Sequence, residues 1–529
     1  MNVRSFRARR LVPIALLATL AVACVVVSTN TRPTSIDASA LRAVQVGTPF
    51  RAHLLDGSVI VFDYGASVGP LRVDGTGRRF NALRTDATAS AGVPLDSVLG
   101  FEVYRRTVNP ARTLVYAPAT AFVSAVGLAA LAVVLFGSCP TIYADSAGVQ
   151  TLQAESFSYS IAPLLGKRDV DRMTVTPDAN GVIRLAVRNE ALETHHLDHM
   201  EIVEVRHGAN EIAVPSPRGG ALTVSSASTP ATIRDGAGRD VFRSVARADE
   251  IAFSTDDGLL DRAIAGGSTN DQLVVTVPRR GNADSVALVL KARSSLLTTS
   301  VLYEHLMGRQ GALALDWMGS DLTRISALAG LGQWYGANFG MRVEVQEGNE
   351  WHHVIRLMDF GPTAWRTVGV AIPALRSTDD SIRIRLTFAA DAFRIDQLVV
   401  AENMRRVDQR RIPIARAVDS DGKARADIVT MLSKADDRDV ETSPGQQFWI
   451  EFDTKRSRSA VTASDSIATY FFAAQGYYTE WLRPSWMKNG KAREAFAPNA
   501  STMRELLQSW KGGRDSLETL FFRRRVPVA

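Results

Sequence analysis

At 529 residues the chain is too long for one ordinary domain, and at roughly 100–200 residues per domain it divides into about three to five units. Hydrophobic residues at 46% against 22% charged residues exclude a wholly disordered chain. The formal net charge of +6 is the remainder of 61 basic and 55 acidic residues interspersed along the sequence, which describes a mixed-sign surface and argues against a nucleic-acid partner.

Residues 1–24 read as a targeting segment. Arg4, Arg7, Arg9 and Arg10 form a charged start, residues 11–20 are apolar, and Ala21, Val22 and Ala23 lead to Cys24. That order resembles the lipobox of bacterial lipoproteins and implies lipid attachment at Cys24. An uncleaved signal anchor and cleavage without lipid are the alternatives, and all three export the remainder of the chain. The chain has only 2 cysteines, Cys24 and Cys139, so no disulfide framework is expected and there is no C-x-x-C zinc or redox motif.

Residues 31–40 read as a tether. From 45 to 118 a period-two, β-branched pattern with turns at Asp56-Gly57, Gly69-Pro70 and Asp74-Gly75 predicts a small antiparallel β-roll or barrel. Within it Gly65-Ala66-Ser67-Val68-Gly69 matches a hydrolase G-x-S-x-G, but no helix follows Ser67, so a hairpin turn is the better reading. Residues 119–137 carry no charge and are polar only at Thr120 and Ser124, long enough for a transmembrane helix. The flanking charges oppose a second crossing: Arg105, Arg106 and Arg112 precede the run, and no Lys or Arg comes after it until Lys167. Membrane association is therefore a firmer expectation than a full span.

Residues 139–290 are patterned as strands, notably 182–188 and 200–206, interrupted by a Ser- and Gly-rich connection at 215–232. His195, His199 and His207 are weak metal candidates. On a helix, His195 and His199 would share a face, with Asp198 nearby; as strand or turn they would be solvated strand-end histidines. Residues 294–336 carry helical spacing punctuated by Gly308, Gly311 and Gly319, and Tyr303-Glu304-His305 with Asp316-Trp317 read as packing residues rather than an acid–base cluster. Residues 341–452 alternate at short intervals as a β-sandwich-like unit, with Trp351 and Trp365 as core aromatics or, less favourably, sugar platforms. Asp419-Ser420-Asp421-Gly422 lacks the further ligands of a calcium loop and reads as a β-turn. Residues 465–529 form an aromatic-rich helical tail, either sealing a core or lying on anionic lipid.

Several motifs recur in a recognisable order: Ser138-Cys139-Pro140-Thr141-Ile142-Tyr143 after the apolar run, Asn189-Glu190 with Glu193-Thr194, residues 296–299 with 314–317, and Gly476-Tyr477-Tyr478-Thr479-Glu480-Trp481. This order resembles a group of uncharacterised bacterial envelope lipoproteins with no assigned activity. The resemblance implies membrane attachment and an exported, β-rich body, and it supplies no functional residue.

The expected fold class is mainly β with helical inserts (α+β). It comprises the N-terminal roll, the apolar helix at 119–137, tandem β units at 139–290 and 341–452 around the 294–336 helical insert, and the helical tail. The expected function is a non-enzymatic binding or scaffold role in the bacterial cell envelope, with a periplasmic or extracellular body. Membrane lipid is one partner and an envelope protein or carbohydrate another; no cofactor and no metal are expected. The alternative is an exported hydrolase or metal-dependent enzyme using the histidines around His199.

Overall fold

The computed structural model describes residues 29–36, 41–42, 47–56, 58–80, 87–108, 140–146, 149–158, 160–161, 166–191, 193–225, 232–278, 286–314, 317, 325–358, 360–373, 380–436, 438–455, 466–483, 486 and 501–523. The apolar run 119–137, Cys24 and Cys139 lie outside these residues. Among the described residues no helix is long and apolar enough to cross a membrane.

The N-terminal strands form a 7-stranded antiparallel sheet in the order Thr29–Ile36, Val98–Val108, Phe50–Leu54, Val59–Phe62, Arg72–Phe80 and Ser67–Val68, with Ala87–Pro94 also on Arg72–Phe80. Alternation sorts its two faces. Phe50, Ala52, Leu54, Ile60, Phe62, Val73, Phe101 and Val103 build a core of their own. Val59, Val61 and Phe80 point the other way and pack on Trp481 of the larger body. The expected tether at 31–40 is corrected: the strand Thr29–Ile36 pairs along its whole length with Val98–Val108. Its Pro33 is tolerated because the strand sits at the edge of the sheet, where an N–H is dispensable.

Beyond residue 140 the chain is mainly β, with a few helices. Two sheets of five strands face each other across apolar side chains, among them Ile183, Leu185, Phe448 and Ile450 on one and Leu197, Ile202 and Phe472 on its partner. A second sandwich sets Leu273, Val275, Ile384 and Leu386 against Leu288, Leu290, Val370 and Leu398, and the same continuous core joins both. A 3-stranded sheet wedges between them: Ala213 and Ala221 pack toward Val203 and Phe471, while Val214 and Leu222 pack toward Ala287 and Val289.

The expectation of tandem units at 139–290 and 341–452 is also corrected, because each sheet of the body draws strands from both ranges. Val182–Arg188 pairs with Gln447–Asp453, Asn270–Pro278 with Ser381–Ala389, and Val286–Ser294 with Phe393–Ala401. Period-two patterning specifies which face a residue takes but says nothing about which distant strand completes the pair. The connection expected at 215–232 contains a strand, Ala221–Ser225. The tail expected to be helical from 465 begins instead with the strand Ile467–Glu480, placed between Lys167–Arg172 and Glu193–His207 in the middle of its sheet. Tyr470, Phe471 and Phe472 in succession are buried because both faces of that strand are covered, which removes the alternating signal.

The helical insert forms as expected in short pieces. Ser295 caps Leu296–Ser300 by accepting from the Leu297 amide at 3.2 Å, a wider π-turn spans Val301–Met307, and a 3-10 segment covers Gly308–Leu313. The last helix, Thr502–Arg523, buries Met503, Leu506, Leu507 and Trp510 against the core. Trp510 Nε1 donates to Asp391 Oδ2 at 2.7 Å, so this helix seals a sandwich end.

Candidate functional site

Buried ionisable groups concentrate where Glu193–His207 begins and Ile467–Glu480 ends. Their antiparallel register sets Glu193 opposite Glu480 and His195 opposite Tyr478 on one face, and Thr194 opposite Thr479 and His196 opposite Tyr477 on the other. A bulge at Asp198 then shifts the register. Asp198 is tied into it, accepting from the Asp436 amide at 2.7 Å and from Gln475 Nε2 at 2.9 Å.

On the inner face, neutral His195 donates Nε2–H to Glu193 Oε1 at 2.7 Å. Burial pushes the imidazole down to about 3, so the ring carries no charge at neutral pH. Glu480 is 1% exposed, accepts from the Tyr303 hydroxyl, and lies 3.3 Å from Arg483. Burial, reinforced by the Glu193 charge, pushes Glu480 up to about 8, so its carboxyl is protonated at neutral pH. Tyr303 comes from the π-turn, its ring under the Arg483 guanidinium at 3.7 Å and its carbonyl accepting from Trp486 Nε1 at 2.9 Å. Such π-turns place side chains where a regular helix would not.

On the outer face the body meets the N-terminal sheet. Arg51 lies 3.9 Å over the Trp481 ring and hydrogen-bonds both Glu102 and the Thr194 hydroxyl. Glu102 also receives His53 Nε2 at 3.0 Å, and Trp481 Nε1 donates to Thr194 Oγ1 at 3.1 Å. His196 stacks on Tyr477 at 4.3 Å and is likewise lowered to about 3 by burial, with His195 and Arg51 adding to it.

The histidine expectations need correction. The metal reading required a helix over 195–199, and this segment is strand. Nor are the histidines solvated strand ends: His195 and His196 are buried, while His207 Nε2 contacts Thr469 Oγ1 at 2.8 Å. His199 sits 3.6 Å from Glu201, where hydrogen bonds from His199 and Arg168 outweigh burial and hold the carboxyl down to about 2. Among the described residues no three His, Cys, Asp or Glu side chains gather as a metal site.

The remaining motifs take structural places. Ser67 sits in a two-residue strand paired with Arg72–Phe80. Asp419 closes a turn by accepting from the Asp421 and Lys423 amides, with Gly422 at φ 77°. Trp351 and Trp365 are not core residues; each is half-buried beneath cations, Trp351 under Arg385 at 4.3 Å and Trp365 under Arg293 at 5.2 Å. Tyr143 donates to Glu190 at 2.7 Å, and Asn189 Nδ2 reaches the carbonyls of Glu193 and Thr442 at 2.9 Å. Tyr143, Asn189, Glu190 and Glu193 of these motifs thus meet in one region. Neither Arg51, His53 and Glu102 on the outer face nor Glu480 on the inner face is singled out by the sequence. Their only trace in sequence is polar residues alternating with apolar ones, which also describes a solvent face.

No family model and no curated protein matches the chain. Among solved structures, it is similar to a GH31 alpha-xylosidase from Xanthomonas citri at 7% identity and TM-score 0.16, over 84% of this chain and 38% of that one. It is also similar to dimeric latent PorU from Porphyromonas gingivalis at 9% identity and TM-score 0.17, over 85% and 32%. The chain therefore spans about a third of the length of each, and at these scores neither likeness bears on fold or function.

Proposed function

We propose that this is an exported, membrane-attached envelope protein whose β-rich body binds or scaffolds rather than catalyses. Residues 1–24 supply the export signal, Cys24 is the lipid attachment site, the N-terminal sheet forms a small roll at the membrane, and the run 119–137 associates with the bilayer. The resemblance to uncharacterised envelope lipoproteins supports the same address.

The observation that carries the non-catalytic reading is the bonding of the buried polar cluster. Arg51 joins Glu102 of its own sheet to Thr194 of the body, His195 joins Glu193 two residues away on the same strand, and Tyr303 of the helical insert joins Glu480, so groups suited to acid–base chemistry are engaged with one another as structural ties. The protonated Glu480 beside Glu193 is the one feature that favours the alternative, an exported hydrolase, which would require water to reach that carboxyl.

The address is tested by protease treatment of intact spheroplasts, with wild type and Cys24→Ser side by side. The body beyond residue 140 is digested without lysis, and Cys24→Ser loses lipid labelling. Protection of the body until the membrane is permeabilised overturns the reading.

A further inference from the structure

A basic surface lies on the outer face of the sheet ordered Thr232–Asp235, Asn270–Pro278, Ser381–Ala389, Met341–Glu347 and Glu350–Leu357. Its inner face is core. Alternation sends Arg234, Arg342, Arg356, Arg383 and Arg385 outward, with Trp351 and a single central carboxylate, Glu344. One cross-strand row runs from Arg234 through Val274, Arg385 and Glu344 to His353. A neighbouring row brings Thr387, Arg342 and Arg356 into line. Strands lie about 4.8 Å apart, so Arg234 and Arg385, two strands apart, repeat at about 10 Å.

Glu344 is 6% exposed and holds two of these arginines: Arg385 Nε at 2.8 Å and Arg342 Nε at 3.3 Å. Trp351 lies beneath Arg385 at 4.3 Å and Arg383 at 5.8 Å, bedding both guanidinium groups against its ring. Arg356 and Arg383 are exposed and have no carboxylate partner among the described residues. The other nearby carboxylates, Glu347 and Glu350, sit at the hairpin tip, with Glu347 3.8 Å from His352. Arg342 and Arg385 are thus held in place before any ligand arrives, Arg356 and Arg383 stand exposed beside them, and one central carboxylate opposes five arginines.

We propose that this face binds an acidic polysaccharide, with Arg342, Arg356, Arg383 and Arg385 donating paired hydrogen bonds to its carboxylates. The proposal rests on the reading of an exported binding protein. Charge complementarity selects an anion, and Arg suits the planar carboxylate better than a point charge would. A flat, five-strand-wide face with periodic cations fits an extended polymer that bears charge at intervals. It offers too little apolar surface to enter a lipid interface: Val274 and the half-buried Trp351 are its main apolar groups.

The test uses the purified full chain in affinity electrophoresis through polygalacturonate, with neutral dextran and a single-stranded oligonucleotide as separate probes. Polygalacturonate retards the protein, salt weakens the effect, and dextran does nothing. Arg356→Gln combined with Arg383→Gln touches neither Glu344 nor the core and weakens retardation about tenfold or more, since each lost contact is charge-assisted. Arg405→Gln, on a different sheet and paired with Glu211 at 2.7 Å, leaves retardation unchanged. Absence of retardation, equal retardation by dextran, indifference to the double substitution, or equally strong oligonucleotide binding each overturns the proposal. The assay is done on purified protein, so any of these results leaves the spheroplast outcome untouched, and a protected body in spheroplasts leaves this binding result untouched.

Discussion

Replacing Arg51 by Met is the sharpest probe of how the N-terminal sheet is fastened to the body. Arg51 is 3% exposed, and Glu102, which it neutralises, is fully buried. Removing one member of a buried pair leaves an uncompensated charge and costs about 3–5 kcal/mol. Loss of the stacking on Trp481 adds about 1–2 kcal/mol at a dry site. Part of this is recovered because His53 Nε2, 3.0 Å from Glu102, remains hydrogen-bonded to the carboxylate. The net expectation is a loss of about 3–5 kcal/mol, read by urea denaturation and then by hydrogen exchange of Phe50–Leu54 and Val98–Val108. Adding Glu102→Gln removes the stranded charge and recovers most of the loss. A single substitution costing under about 1 kcal/mol refutes the reasoning, as does a double variant no better than the single.

Three further buried groups set the pH dependence of stability. Glu480 titrates at about 8 when folded against an ordinary value of 4.5, so the folded state holds its proton more tightly and stability falls as pH rises from about 4.5 to about 8. His195 and His196 titrate at about 3 against 6.5, so the unfolded state binds more protons and stability is lost as pH falls from about 6.5 toward 3. These opposing slopes, each at most about 1.4 kcal/mol per pH unit and group, place the optimum near pH ~6.5. Glu480→Gln flattens the alkaline side in thermal scans from pH 5 to 9, and an unchanged alkaline slope would sink the assignment. Gly476→Ala is the steric counterpart: an added Cβ would stand 2.4 Å from the His196 carbonyl and 3.0 Å from the Phe157 ring. It is expected to lower stability by about 2 kcal/mol or more, measured as a shift in urea midpoint, because both neighbours are fixed in the core.

Strand-by-strand reading succeeded where one face is wet. Met341–Glu347 and Ser381–Ala389 alternate between apolar and polar residues, and the turn at Asp419–Gly422 arises from its side-chain acceptor. It failed where both faces are dry, as at Ile467–Glu480, whose unbroken aromatic run has no period to read. The polar cluster was hidden for a related reason. Glu193 and Glu480 are opposite one another only because strands far apart in sequence pair, and no local pattern encodes that register. Likewise, Arg51 and His53 look like solvent-facing residues of a small sheet until the body covers them.

The interleaving of strands has a consequence for how the protein is made. Ile467–Glu480, translated long after both of its neighbours, lies between Lys167–Arg172 and Glu193–His207 in the finished sheet. Gln447–Asp453 similarly completes a sheet begun at Thr141–Ser146. The body therefore cannot consolidate in stages from its N-terminus; its early strands wait with open edges for partners synthesised hundreds of residues later. The same delay makes shortening the chain anywhere before Glu480 a route to aggregation rather than to a smaller folded fragment.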